Sequence, residues 1–216
     1  RLGFELDDLR GADVFELHYR TEVDNIPLYG YGIKAFTLSL IETALRISGR
    51  EIDGGRIGEI VKLGKSMLNH PVNVLPGVSD ALSALAEDYR LLVATKGDLL
   101  DQERKLQRSG LERFFHHVEV MSDKTPSSYR KLLNHLDIAA DQFVMVGNSI
   151  RSDIVPVLGI GAFAIHIPYH TNWIHERSEA FDPDHPRFRE CETIGSLPAL
   201  LASPGKGFRD VERGAR

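Results

Sequence analysis

Cysteine is nearly absent. Cys191 is the single thiol among 216 residues, so no disulfide can form within the chain, and a reducing compartment suits it. Long apolar runs are also missing. Nothing approaches the ~18 residues that a membrane-spanning helix needs, and no basic-then-apolar leader is visible. Positive charge is not in surplus either: 26 lysines and arginines face 31 aspartates and glutamates, for a net charge of -5. No basic stripe stands out, which argues against a general nucleic-acid binder. There is one tryptophan, no internal repeat and no low-complexity segment. Such a chain is expected in the cytoplasm, as a monomer or homodimer, with neither nucleic acid nor membrane as a partner.

What is present is enough for a core, since 42% of the residues are hydrophobic and 26% are charged. The first third reads as helical. A partly exposed helix is expected over Leu2–Tyr19, and a turn over Pro27–Gly32, where glycine relaxes the backbone limits. Apolar residues at Ile33, Phe36, Leu40, Ile41, Ala44 and Leu45 predict a helix ending near Gly49. A further helix is expected over Ile52–Leu68, and Pro71–Gly77 has the composition of a linker. From there the pattern alternates. Strands are predicted at Arg90–Thr95, Val118–Met121, Phe143–Val146 and Ala162–Ile167. Helices are expected near Val78–Leu85, Leu99–Ser109, Tyr129–Leu136, Asp153–Leu158 and Leu197–Leu201. Strand and helix in alternation imply a parallel sheet with helices on its faces. The predicted division is therefore a helical segment, 1–75, and a sheet-containing core, 76–216. Pro168–Pro186, with His170, Trp173 and His175, reads as a long loop, and the tail from Pro204 as frayed.

Three strand ends carry polar chemistry. The first is Thr95-Lys96-Gly97-Asp98, where a hydroxyl and the amides of Lys96 and Gly97 precede a helix and suit a phosphate, while Asp98 caps that helix. The second is Lys124, between a short strand and the helix marked by Pro126; its ammonium could offset phosphate or carboxylate charge. The third is the stretch Phe143–Asp153, in which an apolar strand ends on Gly147. Asn148 and Asp153 follow, five residues apart, and both offer oxygen to a hard cation. In a parallel α/β sheet the carboxyl ends of the strands share one crevice. His116 and His117 fit a helix–strand junction, His166 fits a half-buried strand position, and His170 with His175 makes no zinc pattern.

This order resembles the haloacid dehalogenase-like hydrolase superfamily, most of whose members are magnesium-dependent phosphatases. Thr95 is similar to its second motif, Lys124 to the third, and Gly147-Asn148 through Asp153 to the fourth. The helical segment before Pro76 looks like the small cap that many members insert between the first and second motifs. The resemblance implies a three-layer Rossmann-like parallel sheet core with a small all-helical cap. It also implies Mg2+ held by Asp153 and Asn148, a small phosphorylated substrate held by Thr95, Lys96 and Gly97, and Lys124 and Thr95 as catalytic residues. An aspartate would attack phosphorus and form an aspartyl-phosphate that water then hydrolyses. The chain departs from the pattern twice. Asn148 stands where an aspartate is usual. The first motif, Asp-x-Asp-x-Thr after an apolar strand, is not visible: Asp7 and Asp8 are adjacent and read as surface carboxylates. The nucleophile is expected upstream of Arg1. Two other readings remain open: a metal-independent dehalogenase of the same superfamily, and a silent or truncated module that binds phosphate compounds without turnover.

Overall fold

The computed structural model describes residues 11–49, 51–169 and 181–202. They form two compact units. One runs to Val72 and includes Lys96–Arg108; the other holds Asn73–Thr95 and the residues from Ser109 onward.

The first unit is helical: α1 (Gly11–Tyr29), α2 (Ile33–Ile47), α3 (Gly54–Leu68) and α5 (Leu99–Ser109, all but its last residue). The expected turn at Pro27–Gly32 begins later than its proline suggested. Pro27 lies inside the last turn of α1, where a missing N–H removes one ladder bond and leaves the rest of the helix intact. Positive φ at Gly30 and Gly32 then makes the turn. The seam between α1 and α2 is small and polar rather than greasy. Thr21, Ser39 and Thr43 are fully buried. Asn25 Nδ2 donates to Ser39 Oγ at 3.1 Å, and Arg46 Nη1 donates to Thr21 Oγ1 at 3.1 Å. Helix α3 starts with Asp53 accepting from the Arg56 amide. Its Gly64 lies so close to Thr37 of α2 that a Cβ there would collide with the threonine side chain.

Among the described residues the second unit holds five strands: β1 (Leu92–Lys96, whose last residue falls to the first unit), β2 (His117–Met121), β3 (Val144–Gly147), β4 (Phe163–His166) and β5 (Phe188–Glu190). β1 pairs with β2, and β3, β4 and β5 form a second sheet in that order. The second sheet is parallel, with Gly147 opposite His166 and His166 opposite Glu190. One face carries Met145 and Ala164 against Tyr129, Leu132 and Leu133 of α6 (Pro126–Leu136) and Val157 of α7 (Val155–Leu158). The other carries Val144, Val146, Phe163 and Ile165 against Leu85 of α4 (Val78–Leu85) and Leu197 and Leu201 of α8 (Leu197–Ala202). Residues alternate between the faces because a strand has a two-residue period. Each large side chain taken fully from water, such as Ile165, contributes roughly 1.5–3 kcal/mol. The result is the α/β class with helices on both faces of a parallel sheet. β5 was not expected: three residues amid proline, histidine and arginine carry no periodic signal, and pairing with β4 makes it a strand. Of the expected long loop, residues 170–180 lie outside the described residues, as does the tail from Pro204.

Candidate active site

The chain leaves β3 at Gly147 and winds at once into a π-helical turn, Ile150–Ile154. Ser149 organises it. Its carbonyl accepts from both the Asp153 amide at 2.8 Å and the Ile154 amide at 3.3 Å, and its hydroxyl accepts from the Ser152 amide at 3.0 Å. Widened turns of this kind occur often at functional sites. Here the widening aims Asp153 back at the strand end. A Cβ on Gly147 would overlap the Asp153 carboxylate, so glycine is needed for this close approach.

Asp153 is 4% exposed and both of its oxygens are engaged. Oδ2 accepts from the Ser149 amide at 3.0 Å, and Oδ1 lies 2.6 Å from Lys124 Nζ. Lys124 is almost as buried, with a side chain 10% exposed. It arrives from the loop after β2. The next helix is fixed by Thr125, which accepts from the Ser128 amide at 3.1 Å, with Pro126 at the first helical position. One turn into α6, Tyr129 donates its hydroxyl to the Ser152 carbonyl at 3.0 Å, tying that helix to the turn that carries Asp153. Two opposite charges this far from water survive only as a pair with further hydrogen bonds.

Thr95 lies near the end of β1, which pairs with β2, and β2 leads to Lys124. Asn148 follows β3 directly, and its backbone carbonyl is 3.1 Å from His166 Nε2. Lys96 and Gly97 fall with the helical unit. The Lys96 ammonium stands 4.4 Å from the centre of the Tyr31 ring. Asp98 caps α5 as expected, accepting from the Asp101 amide at 3.1 Å. It also receives the Lys34 ammonium on both oxygens at 2.9 Å. That bond holds the Asp98 carboxyl below its ordinary value, against an opposing push from partial burial.

The structure thus joins Lys124 to Asp153 directly and sets Asn148 between β3 and the turn that carries Asp153. Magnesium prefers oxygen ligands and usually keeps water and substrate oxygens alongside one or two carboxylates. Asp153 and the Asn148 carboxamide, five residues apart after β3, carry oxygen donors of that kind. Among the described residues no group of three or more histidine, cysteine, aspartate and glutamate side chains gathers as a metal centre. Asp7 and Asp8 lie outside the described residues. Sequence reasoning missed Ser149 and Tyr129, which shape this site. A serine three residues before a serine amide is a visible capping signal, whereas the reach of Tyr129 to residue 152 has none.

Fold and site define a class: an α/β protein whose lysine–aspartate pair follows two strand ends. Residues 33–161 match the family described as haloacid dehalogenase-like hydrolase, and the chain belongs to that family. A solved haloacid dehalogenase-like family hydrolase from Xanthomonas campestris is 41% identical, with a TM-score of 0.76 over 85% of this chain and 73% of that one. A 2-haloacid dehalogenase from Pseudomonas syringae pv. Tomato DC3000 shares the fold, at 21% identity and a TM-score of 0.61 over 91% and 83% of the two chains. Glyceraldehyde 3-phosphate phosphatase of Pyrococcus abyssi is 30% identical over 101 residues, which are 44% of this chain and 42% of that protein. The chain spans less than half the length of that relative.

Proposed function

We propose that this chain serves a magnesium-dependent phosphatase reaction on a small phosphorylated metabolite, through an aspartyl-phosphate intermediate. The observation that carries the reading is the buried Lys124–Asp153 pair, 2.6 Å apart, after two strand ends. Similarity to a phosphatase of a small sugar phosphate supports it. In this reading the Thr95 hydroxyl and the amides of Lys96 and Gly97 hold the phosphoryl oxygens. The Lys124 ammonium offsets negative charge on the attacking carboxylate and on the phosphoryl group. Asp153 keeps Lys124 in place and, with Asn148, offers oxygen to Mg2+, which when bound supplies further charge neutralisation. An aspartate oxygen bonds to phosphorus as the ester oxygen departs and takes a proton; water then cleaves the acyl phosphate to orthophosphate. The nucleophile is not identified among the described residues.

The test is hydrolysis of p-nitrophenyl phosphate with magnesium and then with chelator, beside calorimetric binding of magnesium with tungstate as a phosphate mimic. Asp153→Asn keeps the side-chain shape and removes the charge. It is expected to weaken metal-dependent tungstate binding at least tenfold, and unchanged affinity overturns the assignment. Asn148 favours a second reading, a metal-independent dehalogenase attacking carbon. Halide release from a 2-haloacid, undiminished by chelator, selects it.

A further inference from the structure

We infer that His166 is a positioning residue that sets the Asp153 carboxylate by clamping the peptide bond between Asn148 and Ser149; its consequence for metal binding rests on the phosphatase reading above. His166 ends β4 and is held on both sides by the sheet. The Ile167 amide donates to the Gly147 carbonyl at 2.9 Å, and the Cys191 amide donates to the His166 carbonyl at 2.9 Å. Its ring is mostly buried, with a side chain 12% exposed. Both ring nitrogens reach oxygens that only accept: Nε2 is 3.1 Å from the Asn148 carbonyl, and Nδ1 is 3.2 Å from Glu190 Oε2. The imidazole therefore bridges the ends of three neighbouring strands.

The step from His166 to Asp153 follows from peptide geometry. A trans peptide sets its C=O and its N–H in one plane, pointing opposite ways. No cis peptide occurs here. The carbonyl at Asn148 faces His166, so the amide of Ser149 must face away from it, and it donates to Asp153 Oδ2 at 3.0 Å. The other oxygen of Asp153 receives Lys124 at 2.6 Å. With the Nε2–H tautomer donating to the Asn148 carbonyl, a line of contacts runs Glu190, His166, the 148–149 peptide, Asp153, Lys124. Rotating that peptide would remove the donor from Asp153 and swing a carbonyl toward its carboxylate. The same rotation would displace Asn148. Groups that orient a ligating carboxylate from behind typically change metal affinity by roughly 10–100-fold when removed.

The experiment has two readouts on the full chain. Amide hydrogen exchange at Ser149 is followed without metal, and the magnesium dissociation constant is measured by calorimetry. His166→Ala is expected to speed Ser149 exchange several-fold and weaken magnesium roughly tenfold. His166→Gln, which keeps a donor, is expected to restore much of both. Glu190→Gln alters a group whose side chain is 63% exposed. It leaves the core untouched and is expected to move both readouts the same way by less. Unchanged Ser149 exchange in both His166→Ala and Glu190→Gln overturns the clamp. Loss of the phosphatase reading looks different: Asp153→Asn then leaves magnesium affinity unaltered, while Ser149 exchange still responds to His166.

Discussion

His18 shows what one half-buried ring demands of its surroundings. It packs edge-on against Phe36 at 4.9 Å, and its Nε2 is buried with no partner. Burial lowers its tendency to hold a proton below the ordinary value, only partly countered by the backbone at Ser39. The folded state thus prefers the neutral ring, and the unfolded state takes up the proton first as acid is added. The His18 contribution is full above the ordinary value of 6.5 and is lost as pH falls from there through the lower folded value. Denaturant unfolding from pH 7.5 to 5 should show that loss in the native chain, and His18→Gln should flatten it. At Gly147 the constraint is steric. Gly147→Ala would push a methyl into the Asp153 carboxylate; a cost of about 1–3 kcal/mol in thermal or chemical unfolding is expected, together with weakened magnesium binding. An alanine variant as stable as the native chain contradicts this packing.

Among the elements, α6 matters most because its first turn fixes both Lys124 and Tyr129. Thr125→Ala removes the acceptor for the Ser128 amide. A loss of ~1 kcal/mol in unfolding free energy is expected, and a larger fall in magnesium-dependent tungstate binding than in fold content by circular dichroism. Equal loss in both would mean that the cap serves the helix alone. Elements were also where the sequence was easiest to read. α2, α3, α5 and α6 were all expected: α5 has the expected bounds, and the other three differ from theirs by two or three residues at one end. The π-helical turn after β3, Ile150–Ile154, was not expected: the helix was placed near Asp153–Leu158, since a single widened turn leaves the apolar pattern of Ile154, Val155, Val157 and Leu158 unchanged. Pro27 misled in the opposite direction, because near a helix end the missing N–H does little harm.

At the scale of the whole molecule the measurable quantity is linkage. A ligand that binds only the folded state raises stability by RT ln(1 + [L]/Kd), about 2.7 kcal/mol when present at a hundred times its Kd. On the proposed phosphatase reading, magnesium with tungstate should raise the melting temperature by several degrees, and by more than the two separate shifts combined if metal and anion share one site. A strictly additive shift would argue for separate sites.

Some features were determined by the sequence itself. Alternating strands and helices follow from local periodicity, and Thr95, Lys124, Asn148 and Asp153 could be placed at or after strand ends because polar residues interrupt apolar runs there. Other features belong to tertiary structure alone. Lys124 meets Asp153 across 29 positions, and β5 is a strand because β4 offers it a ladder. The 148–149 peptide is oriented by a histidine that came from a later strand. Contacts like these are set by which strand ends pack side by side, and no spacing along the chain encodes a distance between two segments until the sheet and its covering helices bring them together.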